Sequence, residues 1–153
     1  MSKLSKIIYF TSAVIFFMIF DFYFSNLIIH YPLPQAYDRF FEIIFVQNTG
    51  AAFSLLENAP IILIVFAIAA ILGIIIYGIK DIEKFSSIAC FWAALLVAGI
   101  SCNLAERIYL GYVRDYIKLN FINFPVFNIS DIFINIGVFA LIVIIIKNKY
   151  LRK

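Results

Sequence analysis

The sequence predicts an all-α integral membrane protein whose four transmembrane helices form one bundle. Hydrophobic residues make up 65% of the 153 residues, charged residues make up only 14%, and the mean hydropathy is +1.03. This composition excludes both a soluble globular domain and a disordered chain. Four apolar segments are long enough to cross a hydrocarbon layer of about 30 Å. The formal charge of +3 is too small to indicate nucleic-acid binding.

The four segments follow one another without a linker long enough to separate domains, so a single domain over residues 1–153 is expected. The first segment has 23 residues and, as a helix, would measure about 35 Å. It is too long for the apolar region of a secretory signal and is therefore interpreted as a retained anchor. Long connections are expected over 30–58 and 105–128. The predicted helices cover 7–29, 59–79, 85–104 and 129–146.

The distribution of Lys and Arg predicts the orientation. Eight of these residues lie at the two ends of the chain or between the second and third segments, and four lie in the other connections. Cytoplasmic connections carry the excess of basic residues, so both termini are predicted to be cytoplasmic and the long connections to face outward. The eight are Lys3, Lys6, Lys80, Lys84, Lys147, Lys149, Arg152 and Lys153, and the four are Arg39, Arg107, Arg114 and Lys118.

Polar residues of the apolar segments gather toward the outer side. Asp21 lies in the outer half of the first segment. One further group shares a helix face at the outer end of the third segment, and another lies at the entry to the fourth. These groups are Asn103, Glu106 and Arg107, and Asn128 and Asp131. Because a carboxylate is costly in hydrocarbon, Asp131 must be shielded from lipid, paired with another polar group, or used in the function of the protein.

The connection before the fourth segment contains an alternating pattern typical of a strand. In VRDYIKLNF, Asp115 shares one face with apolar residues, whereas Tyr116 and the basic residues lie on the other. A strand on the membrane surface would turn Asp115 toward the bundle, where it would meet Asp131 and share a proton with it. Such a pair suits hydrolysis. Asp131 is predicted to take a proton from water while the protonated Asp115 polarises a carbonyl.

Spacing alone leaves other interpretations open. Asp131 could begin its helix beside Asn128, Asp115 could be an ordinary loop acid, and Asp21 could fix helix packing. Asp21 and Asp131 could also be relay groups of a small transporter or proton-conducting bundle, although the inner halves of the spans carry no ionisable group to continue the relay. No metal site is predicted. Cys90 and Cys102 would lie roughly 18 Å apart along one helix.

Three stretches, QNTGAAFSLL, CNLAERIYLGYVRDYI and FPVFNISDIFINIG, resemble in order and spacing the signature blocks of bacterial lipoprotein signal peptidase. This type II signal peptidase is an aspartic peptidase of the cytoplasmic (inner) membrane. The resemblance covers the whole chain. It implies a four-helix bundle with a small extracytoplasmic β-cradle and a short amphipathic helix. It also implies cleavage of diacylglyceryl-modified prolipoproteins just before the lipidated cysteine, at the membrane lipid surface, without a metal or other cofactor. Nothing in the sequence demands more than a monomer.

By the same resemblance, Asp115 and Asp131 match the catalytic pair. The residues that match substrate-binding or site-supporting positions are Asp21, Asn48, Gly50, Asn103, Arg107 and Asn128. The chain also departs from the family pattern. Asn26 stands where Lys is usual, and Glu106 stands where Asp is usual. Ala98 and Cys102 occupy positions that are more often Gly. These departures leave open a catalytically silent scaffold, although both aspartates are retained.

Overall fold

The computed structural model describes residues 1–31, 40–51, 55–57 and 59–150. Within these ranges, the chain forms four long helices and two strands. All four helices are long and apolar enough to cross a membrane, which confirms the predicted bundle. The elements are α1 (Lys3–His30), β1 (Phe41–Asn48), α2 (Pro60–Lys80), α3 (Ser87–Leu110), β2 (Val113–Leu119) and α4 (Ile129–Tyr150).

Local capping residues set the ends of the helices. Ser2 and Ser86 accept hydrogen bonds from the backbone N–H groups three residues later and thereby begin α1 and α3. Pro60 begins α2. Gly111, with φ of +84°, ends α3 in the left-handed conformation and donates its N–H to the Arg107 carbonyl. The α3 helix therefore extends beyond its predicted end at residue 104. The predicted end was too early because the last turns of the helix contain polar residues, which interrupt the apolar run.

The α3 helix lies at the centre of the bundle and packs against α1, α2 and α4. It contributes most of the buried apolar side chains, whereas α2 has no buried residue. Two glycines allow α3 and α4 to approach closely. A Cβ added at Gly99 would lie 2.6 Å from the Ser130 carbonyl oxygen, and one added at Gly137 would lie 2.9 Å from the Leu96 Cβ. The first contact fixes the start of α4 against α3.

A small antiparallel sheet caps one end of the bundle. The β1 and β2 strands pair from Phe41 opposite Leu119 to Asn48 opposite Val113. Ile117 also exchanges backbone hydrogen bonds with Phe127, which brings the segment before α4 alongside β2. This sheet is the small β-cradle that the resemblance implied. The short amphipathic helix is not among the elements of the described residues, and 32–39, 52–54 and 58 lie outside them.

The opposite end of the bundle is fixed by a buried lysine. The Lys6 ammonium group donates to the carbonyl oxygens of Ile82, Glu83 and Phe85 at 3.0, 3.1 and 2.6 Å. These carbonyls belong to the α2–α3 turn, so α1 is anchored there. With Lys6 at one end and the sheet at the other, the bundle has two chemically different ends.

Candidate active site

Asp115 lies in β2 and is 1% exposed. The Asn48 side-chain amide, at the end of β1, donates to Asp115 Oδ2 at 2.8 Å. The Asn128 side-chain amide donates to Asp115 Oδ1 at 2.9 Å. The strand therefore turns Asp115 toward the bundle, as the alternating pattern predicts, and two neutral amides hold its two oxygens.

Asp131 lies in the first turn of α4 and is only partly buried. The Asn103 side chain donates to Asp131 Oδ1 at 2.8 Å, and the Asn128 backbone N–H donates to Oδ2 at 3.2 Å. In return, the Asp131 N–H donates to Asn128 Oδ1 at 2.9 Å. This reciprocal arrangement is a capping box, which explains locally why an acid begins an apolar helix.

Asn128 links the two carboxylates. Its side-chain nitrogen contacts Asp115 Oδ1 and also donates to Asn103 Oδ1 at 3.1 Å, while its backbone N–H and side-chain oxygen both contact Asp131. Asn128 is 3% exposed. The structure thus brings the two predicted aspartates, which are 16 positions apart in the sequence, into one hydrogen-bonded cluster with Asn103.

The surroundings of Asp115 favour its protonated form. Burial raises the pKa of Asp115 to about 7, and the nearby charges of Asp131 and Glu106 act in the same direction. The hydrogen bond from Asn48 and the positive charge of Arg107 oppose this rise. Asp115 therefore holds a proton at neutral pH far more readily than an ordinary aspartate, which would be ionised.

Arg107 and Gly50 connect α3 to the turn after β1. The Arg107 guanidinium donates to the Gly50 carbonyl oxygen at 2.7 Å, and the Gly50 N–H donates to Asn48 Oδ1 at 2.9 Å. The buried Arg107 Nε has no hydrogen-bond partner in the part of the chain that the structure describes. The charge of Arg107 interacts with both Asp131 and Asp115. This arrangement brings a cation to the carboxylates and fixes the turn that carries Asn48.

Asp21 belongs to a second polar layer next to the first. It accepts a hydrogen bond from the Ser130 hydroxyl at 2.7 Å and lies beside the Cys102 thiol. One helical turn later, the Ser25 hydroxyl lies 3.0 Å from the Tyr116 hydroxyl. The structure therefore places Asp21 next to the residue that precedes Asp131, without a direct hydrogen bond to either candidate catalytic aspartate.

Sequence reasoning missed several members of this second layer. The alternating pattern put Tyr116 on the face opposite Asp115, but the middle of that face is buried too, and Tyr116 is 1% exposed. Its hydroxyl accepts the Ile129 N–H at 3.3 Å, and burial raises the pKa of Tyr116 to about 12, so the phenol stays neutral. Two features of the sequence could have indicated this layer. Asp21 and Ser25 are one helical turn apart, and Ser130 directly precedes Asp131.

The two departures at Asn26 and Glu106 meet at one side chain. Glu106 accepts hydrogen bonds from both the backbone and the guanidinium of Arg114, and Arg114 Nη1 lies 3.4 Å from Asn26 Oδ1. Glu106 therefore pairs with Arg114 rather than with the adjacent Arg107. Within the described ranges, no group of three or more His, Cys, Asp or Glu residues is arranged to hold a metal ion.

The fold and this cluster define a multi-pass membrane protein with two aspartates, bridged by Asn128, at one end of its helix bundle. A family model described as Signal peptidase (SPase) II matches residues 12–147, and the chain belongs to this family of membrane proteases. Its relatives are bacterial, and a multi-pass protein of the cytoplasmic (inner) membrane is consistent with its four apolar helices.

Individual relatives agree with this assignment. The chain is 33% identical over 109 residues to a lipoprotein signal peptidase of Streptococcus thermophilus, a match that covers 71% of each chain. It is 33% identical over 114 residues to that of Enterococcus faecalis, covering 74% of this chain and 70% of the relative. A solved bacterial membrane enzyme superposes with a TM-score of 0.82 at 26% identity, covering 94% of this chain and 91% of that enzyme.

Proposed function

We propose that this protein removes the signal peptide from diacylglyceryl-modified prolipoproteins by cleaving before the lipidated cysteine, with Asp115 and Asp131 activating one water molecule. The observation that carries the proposal is the bridge formed by Asn128, which contacts both carboxylates at the sheet-capped end of the bundle. The relatives named lipoprotein signal peptidase support the choice of substrate.

The proton is assigned to Asp115 and the negative charge to Asp131. Asp115 is fully buried, and its raised pKa of about 7 lets it hold a proton at neutral pH. Asp131 is partly accessible and accepts two N–H hydrogen bonds, which favour a carboxylate. Its position in the first turn of α4 adds the favourable end of the helix dipole.

The chemical step then balances within the pair. Asp131 removes a proton from water, and the water oxygen forms a bond to the carbonyl carbon while Asp115 donates a hydrogen bond to the carbonyl oxygen. When the tetrahedral intermediate collapses, the C–N bond breaks and the proton held by Asp131 passes to the leaving amine. Asp115 finishes the cycle protonated, so the pair is ready for another water molecule.

The remaining site residues act as supports in this proposal. Asn48 and Asn103 hold one oxygen of each aspartate, and Asn128 sets the distance between them. Arg107 fixes the Gly50 turn beside the site. Asp21 acts at a greater distance, since its hydrogen bond to Ser130 secures the turn that carries Asp131.

We also propose that both termini are cytoplasmic and that the site faces outward. The basic residues predict this orientation, and the aspartates lie at the end of the bundle opposite Lys6 and the α2–α3 turn. The protein is proposed to act as a monomer at the lipid surface, since nothing in its sequence demands a larger assembly. A proton relay is less well supported, because residues 7–20, 61–79, 88–105 and 132–146 contain no Asp, Glu, Lys, Arg or His.

The test uses purified protein and a diacylglyceryl-modified prolipoprotein, with the mature product followed by its gel mobility. Asp115→Asn and Asp131→Asn should each abolish cleavage while leaving the thermal unfolding transition in place. Asp81→Asn is the matched control, since Asp81 pairs with Lys84 at the far end of the bundle. Cleavage that survives in either site variant would remove the paired-aspartate mechanism. Equal cleavage of the unmodified prolipoprotein would remove the role of the lipid.

A further inference from the structure

The ion pair between Glu106 and Arg114 is the least exposed of the three found in the described residues. Its side chains are 15% and 16% exposed, against 32% and 44% for Glu42 and Lys118. Arg114 Nη2 lies 2.6 Å from Glu106 Oε1, and Nε donates to the same oxygen at 2.7 Å. A charged hydrogen-bonded pair with this degree of burial holds its geometry more firmly than an exposed one.

Glu106 also holds the backbone of Arg114. Its second oxygen, Oε2, accepts the Arg114 N–H at 2.7 Å, so one carboxylate of α3 fixes both the side chain and the main chain of this residue. The Arg114 carbonyl lies 3.4 Å from the Asn128 side-chain nitrogen, and the guanidinium reaches Asn26 of α1. Arg114 is thereby attached to two helices and to the residue before α4, at the start of β2 and immediately before Asp115.

We propose that Glu106 and Arg114 form a clamp that positions Asp115 for catalysis by fixing the preceding residue of the strand. The inference rests on the proposed function. Neither residue needs to touch the substrate, because the clamp acts through the backbone at residue 114. A small displacement of that backbone would move the Asp115 carboxyl away from Asn48 and Asn128, both of which contact it at hydrogen-bond distance.

The clamp has an electrostatic consequence that separates it from a merely structural pair. The charged groups that act on Asp115 include Asp131 of α4 and Arg107 and Glu106 of α3, while β1 contributes the neutral Asn48. The charge of Glu106 raises the pKa of Asp115, and Arg114 neutralises that charge by pairing with it. Removing the acid and removing the base should therefore shift the titration of Asp115 in opposite directions.

The experiment measures kcat, KM and the alkaline limb of the pH–rate profile for Glu106→Gln and Arg114→Met. Each variant should lower kcat by about 10- to 100-fold with little change in KM, since a displacement of about 1 Å at a catalytic group has such an effect. The alkaline limb should move to lower pH in Glu106→Gln and to higher pH in Arg114→Met. Arg114→Lys keeps the charge but loses the planar fork, so it should restore the limb and recover only part of kcat.

Glu42→Gln and Lys118→Met provide the matched control, because this pair also holds β2 but joins it to β1 at a more exposed position. Both control variants should keep wild-type kcat and the wild-type pH limb. The clamp is overturned if Glu106→Gln and Arg114→Met retain wild-type kcat, or if they shift the limb in the same direction. If Arg114→Met does not fold, Arg114→Lys decides the matter, and an unchanged kcat in that variant would overturn the clamp.

The proposed function and the clamp fail in different ways. Absence of cleavage by the wild-type protein, or full cleavage by Asp115→Asn, would count against the proposed function. The clamp alone would fail under a different set of results. In that case the wild type is active and Asp115→Asn is inactive, but the Glu106 and Arg114 variants behave like the control pair.

Discussion

The contact between Gly99 of α3 and the first turn of α4 offers a sharp test of how the site is positioned. A Cβ added at Gly99 would lie 2.6 Å from the Ser130 carbonyl oxygen and 2.9 Å from Ile134 Cγ1. Ser130 directly precedes Asp131. Replacing Gly99 by alanine should therefore push the turn that carries Asp131 away from α3.

The size of this displacement follows from the contact distances. A separation of 2.6 Å is about 0.8 Å short of the 3.4 Å at which ordinary van der Waals contact begins. Asn103, one turn further along α3, donates to Asp131 at 2.8 Å, and a shift of this size would stretch that bond beyond hydrogen-bonding distance. We expect kcat to fall by about 100-fold. Overpacking should also lower the free energy of unfolding by roughly 1–3 kcal/mol.

The assay compares initial rates of prolipoprotein cleavage and thermal unfolding in detergent for four glycine variants. Gly73→Ala and Gly78→Ala are the neutral controls, because a Cβ at either position would meet nothing within 4 Å. Gly137→Ala overpacks the same helix pair about 9 Å deeper than Asp131, so it should reduce stability with a smaller loss of kcat. Wild-type kcat in Gly99→Ala would refute the reasoning. The reasoning would also be refuted if Gly137→Ala and Gly99→Ala lost the same stability and also the same kcat.

Three further predictions concern the polar layers. Because the proposed mechanism requires a protonated Asp115 with a pKa of about 7, kcat should fall as pH rises through about 7. Asn48→Ala removes a hydrogen bond that lowers this pKa and should move that limb to higher pH; an unmoved limb in the pH–rate profile would contradict the assignment. Tyr116→Phe deprives Ser25 and the Ile129 N–H of a buried partner and should lower the free energy of unfolding by about 1–3 kcal/mol in chemical denaturation, whereas Tyr109→Phe, at an 85% exposed position, should leave it unchanged. Asn26→Lys would bring a second cation to the Arg114 guanidinium and should lower the thermal unfolding temperature in the wild type but much less in an Arg114→Met background; equal losses in both would show that the two positions are not coupled.

The helices were predictable from the sequence, as were both ends of α2 and the start of α4, but the start of α1 and the end of α3 were not. An apolar run in the sequence marks only the part of a helix that lies in hydrocarbon. The run ends at the first polar residues, although the helix itself can continue beyond them. The α3 helix continues to Leu110 because Glu106 and Arg107 find hydrogen-bond partners outside the helix and Gly111 provides the turn that ends it. At the other end of the bundle, carbonyl oxygens of the α2–α3 turn satisfy the Lys6 ammonium group, so α1 begins well before its apolar run.

The site was only partly predictable, for a related reason. Alternation along β2 indicated the inward face of Asp115, and the position of Asp131 at a helix start indicated the outer boundary. The bridging role of Asn128 depends on the pairing of Ile117 with Phe127, which lays the segment before α4 beside β2. No spacing rule relates Glu106 to Arg114, since the helix end and the turn at Gly111 lie between them.

The two aspartates differ in burial, and this difference connects the fold to the proposed chemistry. Asp115 lies within a strand whose two faces are both covered, one by the bundle and one through the Tyr116 contacts, so its charge is disfavoured. Asp131 lies at a helix start where two N–H groups donate to it and where some of its surface stays open to water. A strand next to a helix N-terminus thus places two identical side chains in different surroundings, one fully buried and one partly open to water. This is the asymmetry that a water-activating pair requires.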